Sequence, residues 1–315
     1  MTTVVTGATG FAGSHLLDRL SGEAPVEGWY RPDGRPPDRS RPVRWRGVDL
    51  LDPEAVRRGL ETARPARIYH LAGAPSVGAS WRDVVAQLQV NALATHHLLE
   101  AVRDVGGPIR VLVVTSGQIY QPGDEPIDET APLRPQSPYG LTKLAADQLA
   151  LRAAAEDGMD VVVARPFNHA GPGQRGEYVV PAFASQIARI EAGLAPPVIR
   201  VGNLSARRDL TDVRDVVEAY VRMMASAPLG RPYNVCSGRA WRISDVLDEL
   251  LHLSPVNVSV EADPARLRPT DASVLQGDAS RARAELGWFP AIPIEQTLRD
   301  TLDWWRTTTR RSSGA

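Results

Sequence analysis

The chain has 315 residues, with 36 Lys plus Arg against 37 Asp plus Glu, a formal net charge of -1, 43% hydrophobic and 23% charged residues. That length suffices for one large α/β domain or two joined lobes, and the balanced charge removes the electrostatic case for nucleic acid or an anionic membrane as partner. The single cysteine, Cys236, excludes an internal disulfide, and no apolar run approaches the ~18 residues of a membrane span, so a cytoplasmic protein is expected.

At the start, the β-branched run Thr3-Val4-Val5-Thr6 leads into Gly7-Ala8-Thr9-Gly10-Phe11-Ala12-Gly13, and the spacing from Ser14 onward is helical. Strand, glycine turn and helix in that order point to a dinucleotide site, because glycines allow a tight turn and close approach to a pyrophosphate, and the helix N-terminus offers N–H donors. Val26 to Tyr30 reads as a second strand. At its tip Arg31 favours a 2'-phosphate, and hence NADP(H) over NAD(H), while Asp33 keeps the 2'-hydroxyl reading open. Val43 to Val48 is a third strand, with Asp49-Leu50 at its end within reach of an adenine. Ile68 to Gly73 is a fourth, running through Leu71 into the small residues Ala72 and Gly73, where close backbone approach is easy.

Ser80 to Arg103 reads as one long helix containing Asn91. Its adjacent His96 and His97 diverge by about 100 degrees around the axis, so they are expected on the helix surface and no metal is expected. Arg110 to Val114 is a buried-type strand delivering Thr115 and Ser116 to the carboxyl edge where ligands bind in open parallel sheets. Val161 to Pro166 is a sixth strand. Beyond it come helices at Val179 to Gly193, Asp212 to Ala225, Ile243 to Leu251 and Ile294 to Trp305, strands at Val198 to Leu204 and Tyr233 to Ser237, and a polar tail expected to be disordered over 309–315.

One residue stands apart in the composition. Lys143 is the only lysine in the chain, every other basic side chain apart from histidine being arginine, and it lies four residues after Tyr139 in a helix expected to begin near Ser137. Positions i and i+4 share a helix face, so Tyr139 and Lys143 point the same way, towards the crevice that also receives Ser116. Lowering a phenol from a pKa near 10 to about 7 requires roughly 4 kcal/mol. An ammonium about 4 Å away at an effective dielectric of 20 supplies that order of magnitude. The expected roles are Tyr139 as proton donor and acceptor and Ser116 as hydrogen-bond partner of the same substrate oxygen.

The glycine motif, Ser116, the Tyr139-x-x-x-Lys143 pair and the late Leu286-Gly287-Trp288 together closely resemble the extended short-chain dehydrogenase/reductases that act on nucleoside-diphosphate sugars. Within them the chain looks most like the branch of GDP-mannose 4,6-dehydratases and GDP-4-keto-6-deoxy-mannose reductases, through Arg165-Pro166-Phe167-Asn168-His169-Ala170-Gly171-Pro172-Gly173-Gln174, Val201-Gly202-Asn203-Leu204, Ala206 to Val213, and Arg268-Pro269-Thr270-Asp271. The resemblance implies an α/β fold, a Rossmann-type doubly wound parallel sheet with a smaller C-terminal α/β substrate-binding lobe. It implies a cofactor domain over 1–168 and about 205–235, and a substrate lobe over 169–204 and 236–308. Carried onto this sequence, it places the cofactor against Gly7, Thr9, Gly10, Phe11, Ala12, Arg31, Asp49, Leu50, Leu71, Ala72, Gly73, Asn91, Thr115, Tyr139, Lys143, Phe167 and His169. It places a nucleoside-diphosphate sugar, a GDP-sugar favoured, against Val77, Gly117, Gln118, Asn168, Val179, Val180, Asn203, Arg208 and Arg268. It also implies a homodimer through a four-helix bundle of about Asp83 to Val105 and Tyr139 to Glu156, with Ala145, Leu149 and Ala153 outward.

Three reactions compete on that scaffold. A 4,6-dehydratase needs an extra acid/base, which the family places two residues after the active serine or threonine. Here that residue is Gln118, whose amide exchanges no proton near neutral pH. The expectation is therefore C4 chemistry, with NADPH-dependent reduction of GDP-4-keto-6-deoxy-mannose first, C4 epimerisation second and dehydration third. A cofactor-sensing binding protein is the non-enzymatic alternative, and the intact serine, tyrosine and lysine argue against it.

Overall fold

The computed structural model describes residues 2–22, 25–37, 43–74, 80–267 and 274–313. The chain opens with β1 (Thr2–Thr6), α1 (Phe11–Arg19), β2 (Val26–Tyr30), β3 (Arg44–Gly47), α2 (Pro53–Ala63) and β4 (Pro65–His70). Then come α3 (Val84–Leu88), a π-helical turn (Gln89–Leu93), α4 (Ala94–Val105), β5 (Arg110–Val114), a 3-10 turn (Gly117–Ile119), α5 (Pro138–Glu156) and β6 (Val161–Pro166). With β10 (Pro232–Val235), the six strands β1 to β6 form a seven-stranded parallel sheet in the order β10-β6-β5-β4-β1-β2-β3.

Successive residues of the central strands feed opposite faces. Val4 joins Ile68, Val111 and Val161 in the core under α2, α4 and α5, whereas Val5 joins Leu112 and Val162 in the core under α1 and the helix Val213–Ser226. Both faces are thus dry, which is why these strands read as continuous apolar runs instead of alternating ones.

The remaining chain supplies β7 (Asn168–Ala170), α6 (Val179–Glu191), β8 (Val198–Val201), β9 (Arg207–Asp212), α7 (Val213–Ser226), β11 (Ala240–Arg242), α8 (Ile243–His252), β12 (Ser259–Ala262), β13 (Val274–Leu275), α9 (Ser280–Leu286) and α10 (Ile294–Ser313). Here β9 lies between β11 and β13 and also pairs with β7, while β8 and β12 form a separate two-stranded sheet. A third core of α6, α8 and α10 side chains, including Phe183, Ile187, Leu247 and Leu302, fills this lobe.

Four expectations change. The segment 205–235 does not belong wholly to the large sheet: β9 lies in the small one, and only α7 and β10 return to the large one. Residues 309–313 are helical and not part of a disordered tail, since α10 continues to Ser313 and buries Thr309, while Arg306 on the same helix holds Glu191 of α6. The long helix expected over 80–103 starts only at Val84, after its N-cap Asp83, and carries a π turn within it, where Ala94 N–H bonds to the Gln89 carbonyl. Ala153 is buried against the large sheet and not outward, because α5 turns that side to Val161 and Val163.

Candidate functional site

The glycine turn between β1 and α1 has the geometry a pyrophosphate needs. Gly7 sits at φ +65, and a Cβ there falls 2.7 Å from Ala72 N; a Cβ on Gly13 falls 2.2 Å from the Gly7 carbonyl oxygen. These contacts admit only glycine and press the turn against Leu71-Ala72. Gly10 caps α1 without any side-chain bond, and Thr9 and Gly10 at this helix start are exposed. A dinucleotide phosphate fits this cradle. Arg31 is exposed directly after β2, its carbonyl closing a turn with Gly34 N, and Asp49 is exposed after β3, its carboxylate accepting from Leu51 N at 2.9 Å. His97 is partly buried, not a surface residue: its Nδ1 donates to the Leu50 carbonyl at 3.0 Å and ties α4 to the end of β3.

Ser137 begins α5 as its N-cap, accepting from Gly140 N at 3.1 Å, with Pro138 in the first turn. The helix therefore presents Tyr139 and Lys143, 9% and 7% exposed, to the carboxyl edge of the sheet. Ser116 caps the 3-10 turn, its Oγ accepting from Gln118 N at 3.1 Å. Close packing draws these pieces together: a Cβ on Gly140 falls 2.4 Å from the Gln118 carbonyl oxygen, and one on Gly73 falls 2.8 Å from Asn91 Oδ1 and 3.0 Å from Lys143 Nζ. Ser116, Tyr139, Lys143, Asn91 and Gly73 thus share one crevice.

Lys143 Nζ donates to the Val114 carbonyl at 3.1 Å. Burial drives its pKa down to about 8. Burial also pushes the Tyr139 phenol up to about 12, opposed by its hydrogen bond with Ser116. The protein alone therefore does not bring Tyr139 towards neutrality through Lys143: the opposing contact is Ser116, while the ammonium is engaged by the end of β5. Tyr139 is held as a phenol at neutral pH, the form that gives up a proton.

Asn91 Oδ1 accepts from Ala74 N at 2.8 Å, and its Nδ2 donates to Thr142 Oγ1 at 2.9 Å. A buried relay fixes it from behind. Thr95 Oγ1 donates to the Asn91 carbonyl at 2.7 Å, so His70 Nε2, 3.0 Å from Thr95 Oγ1, is the donor in that pair. Nδ1 then accepts from Thr6 Oγ1 at 2.8 Å, and Thr6 Oγ1 accepts from Ala72 N at 3.2 Å. His70 is neutral, its pKa lowered to about 3 by burial and by the charge of Lys143. No sequence motif pointed to this relay, which joins residues far apart in the chain.

Further from the triad, Phe167 is a core residue, its ring against Gly117, Gly277 and Tyr120. Thr115 is buried and bonded to Asp147 and the Ala164 carbonyl. His169 stacks on Phe11 at 5.8 Å between centroids and donates from Nδ1 to the Phe167 carbonyl, which links the β7 segment to the glycine turn. Asn168 is partly exposed on β7 and Arg208 is buried on β9, its Nη1 donating to the Arg207 carbonyl at 2.8 Å. Val179 is partly exposed at the start of α6, whereas Val180 is 1% exposed in the core of the lobe. Asn203 is exposed and accepts from Ser205 N and Oγ. Val77 and Arg268 lie outside the described residues.

Residues 4–301 match the family described as GDP-mannose 4,6 dehydratase. The chain is 36% identical over 309 residues to the GDP-6-deoxy-D-mannose reductase of Pseudomonas aeruginosa, with 97% of each chain covered. Among solved structures it is similar to RMD from Pseudomonas aeruginosa complexed with NADPH, at 34% identity and TM-score 0.86, covering 98% of this chain and 99% of that one. It is also similar to a Thermus thermophilus UDP-glucose 4-epimerase complexed with NAD, at 30% identity and TM-score 0.87, covering 97% and 99%.

Proposed function

The chain belongs to the GDP-mannose 4,6-dehydratase family of nucleotide-sugar short-chain dehydrogenase/reductases, and from that premise we propose that it reduces the C4 ketone of GDP-4-keto-6-deoxy-mannose with NADPH. The observation that carries the reading is the single crevice that gathers Tyr139, Ser116 and Lys143, since a ketone reduction needs a proton donor at the oxygen that becomes the hydroxyl. A bound nicotinamide cofactor supplies the hydride. The chain's own part is acid catalysis: Tyr139 donates its proton to O4 and Ser116 hydrogen-bonds that oxygen as charge develops, while Lys143, by family resemblance, would hold the nicotinamide ribose. Gln118 beside Ser116 supports reduction over dehydration, because its amide offers no titrating proton. Arg31 supports NADPH, as a cation at the tip of β2 where a 2'-phosphate lies in dinucleotide folds. By family resemblance, Arg208 and Arg268 are assigned to the diphosphate or ribose and Asn168 to the phosphates or sugar.

C4 epimerisation of a nucleotide sugar is the second reading, favoured by the match to the Thermus epimerase over nearly the whole of both chains. Purified protein incubated with GDP-, UDP-, dTDP- and CDP-linked sugars and 4-keto sugars, with NADPH or NADH, separates the two. Loss of NADPH absorbance with GDP-4-keto-6-deoxy-mannose and a new C4 hydroxyl product is expected. Inversion at C4 with no net NADPH consumption makes it an epimerase.

We also infer a cytoplasmic homodimer. No described helix is long and apolar enough to cross a membrane. Val85 at 66%, Leu93 at 40% and Leu141 at 52% exposure, beside the groove lined by Leu88, Ala92 and Leu149, leave an apolar face across α3, the π turn and α5 that a second copy covers. Sedimentation at micromolar concentration should give twice the chain mass, and Val85→Glu should shift it to monomer; a monomeric wild type removes this reading.

A further inference from the structure

We propose that the buried Asp147–Arg165 ion pair is the positioning element of the active site, setting where α5 carries Tyr139 and Lys143 relative to Ser116; this rests on the reading that those three residues do the chemistry. Asp147 lies one helical turn beyond Lys143 and is 0% exposed, and Arg165 near the end of β6 is 2% exposed. The guanidinium grips the carboxylate as a fork, Nε to Oδ1 at 2.9 Å and Nη2 to Oδ2 at 2.7 Å. A planar fork fixes a helix in both translation and rotation, which a single point contact does not.

The rest of the network reaches the other walls of the site. Thr115, directly before Ser116, donates from Oγ1 to Asp147 Oδ1 at 3.1 Å. Arg165 Nη1 donates to the Tyr120 hydroxyl at 2.8 Å, directly after the 3-10 turn that holds Gln118, and Tyr120 donates on to Asn234 Oδ1 at 2.8 Å on β10. One ion pair therefore touches the neighbour of Ser116, the turn bearing Gln118, the strand leading to Asn168, and the helix of Tyr139 and Lys143. Stability does not explain it, because an apolar pair of similar volume generally serves a core as well or better. A displacement of about 1 Å in a reacting group can cost 10²-fold in rate.

The test compares full-length wild type with D147N, which sets an amide N–H against the guanidinium, and Y120F, which deletes one hydroxyl from the far end of the network. Because Lys143 is the only lysine, ¹³Cε-lysine labelling yields one resonance that reports its surroundings without substrate. With NADPH and the 4-keto sugar, D147N should lower kcat about 30- to 100-fold while KM for both ligands stays within about threefold. The lysine resonance should move, and the isotope effect with 4-deuterated NADPH should rise. Y120F should change all three in the same sense by a smaller amount, and it decides the matter if D147N does not fold. Folded D147N or Y120F with wild-type kcat per folded enzyme, isotope effect and lysine resonance overturns the proposal. Y139F separates this from failure of the underlying reading: an active Y139F breaks the catalytic assignment, whereas an inert Y139F beside a fully active D147N breaks only the positioning role.

Discussion

Two buried carboxylates show how differently the two sheets are held together at the site. On the large sheet, Asp147 is neutralised by the Arg165 side chain. On the small one, Asp209 in β9 is also 0% exposed, yet its hydrogen bonds come from Ser237 N at 2.7 Å, Ser237 Oγ at 2.6 Å, Gly238 N at 2.9 Å and Gly277 N at 3.2 Å. Burial raises the Asp209 pKa and these bonds pull it back. At the site, the large sheet is thus tied to α5 by a side-chain ion pair. Around Asp209 the small lobe gathers distant loops mainly by their backbone N–H groups, which every residue type except proline carries.

The sharpest way to break that contrast is at the reacting group. Tyr139→Phe should reduce turnover by about 10³-fold or more while leaving NADPH binding, measured by fluorescence titration, within about threefold. Retained turnover would move the chemistry off the large sheet. Asp209→Ala should leave several loop N–H donors unpaired and cost about 3–5 kcal/mol in urea unfolding. A loss near zero would mean that the lobe does not depend on this carboxylate.

A third prediction concerns pH. Lys143 binds its proton more weakly folded, at about 8, than its ordinary 10.5, so between those values the unfolded chain holds more protons and stability rises with pH. The cofactor-free wild type should gain a few kcal/mol across that window relative to Lys143→Met, whose unfolding curve lacks this contribution. Equal slopes for the two proteins would place the lysine in water. The smallest effect is expected at the exposed rim: Arg31→Ala should weaken NADPH by about tenfold and NADH hardly at all, in line with one exposed charge-assisted contact. Equal loss for both cofactors would mean that the arginine does not read a 2'-phosphate.

Much of the large sheet was legible because its signals are local. Strand, glycine turn and helix lie within eighteen residues at the start, and Tyr139 and Lys143 lie on one helix whose Ser137-Pro138 start is written in the chain. The rank of Ser116 as a strand-end residue followed from the apolar run before it. The small lobe was read only in pieces, since β7, β9, β11 and β13 are short, and their pairing is decided by loops that meet through backbone bonds.

The sequence by itself determined the cofactor turn, the parallel strands and the Ser116, Tyr139 and Lys143 set, because periodicity, glycine placement and helical spacing act over a few residues. Only the tertiary structure decided what surrounds them: the π turn that presents Asn91, the single tautomer of His70, the Asp147–Arg165 fork, and the burial of Tyr139. Each of these depends on desolvation or on a donor meeting an acceptor from a distant strand. Neither is set until the chain has packed.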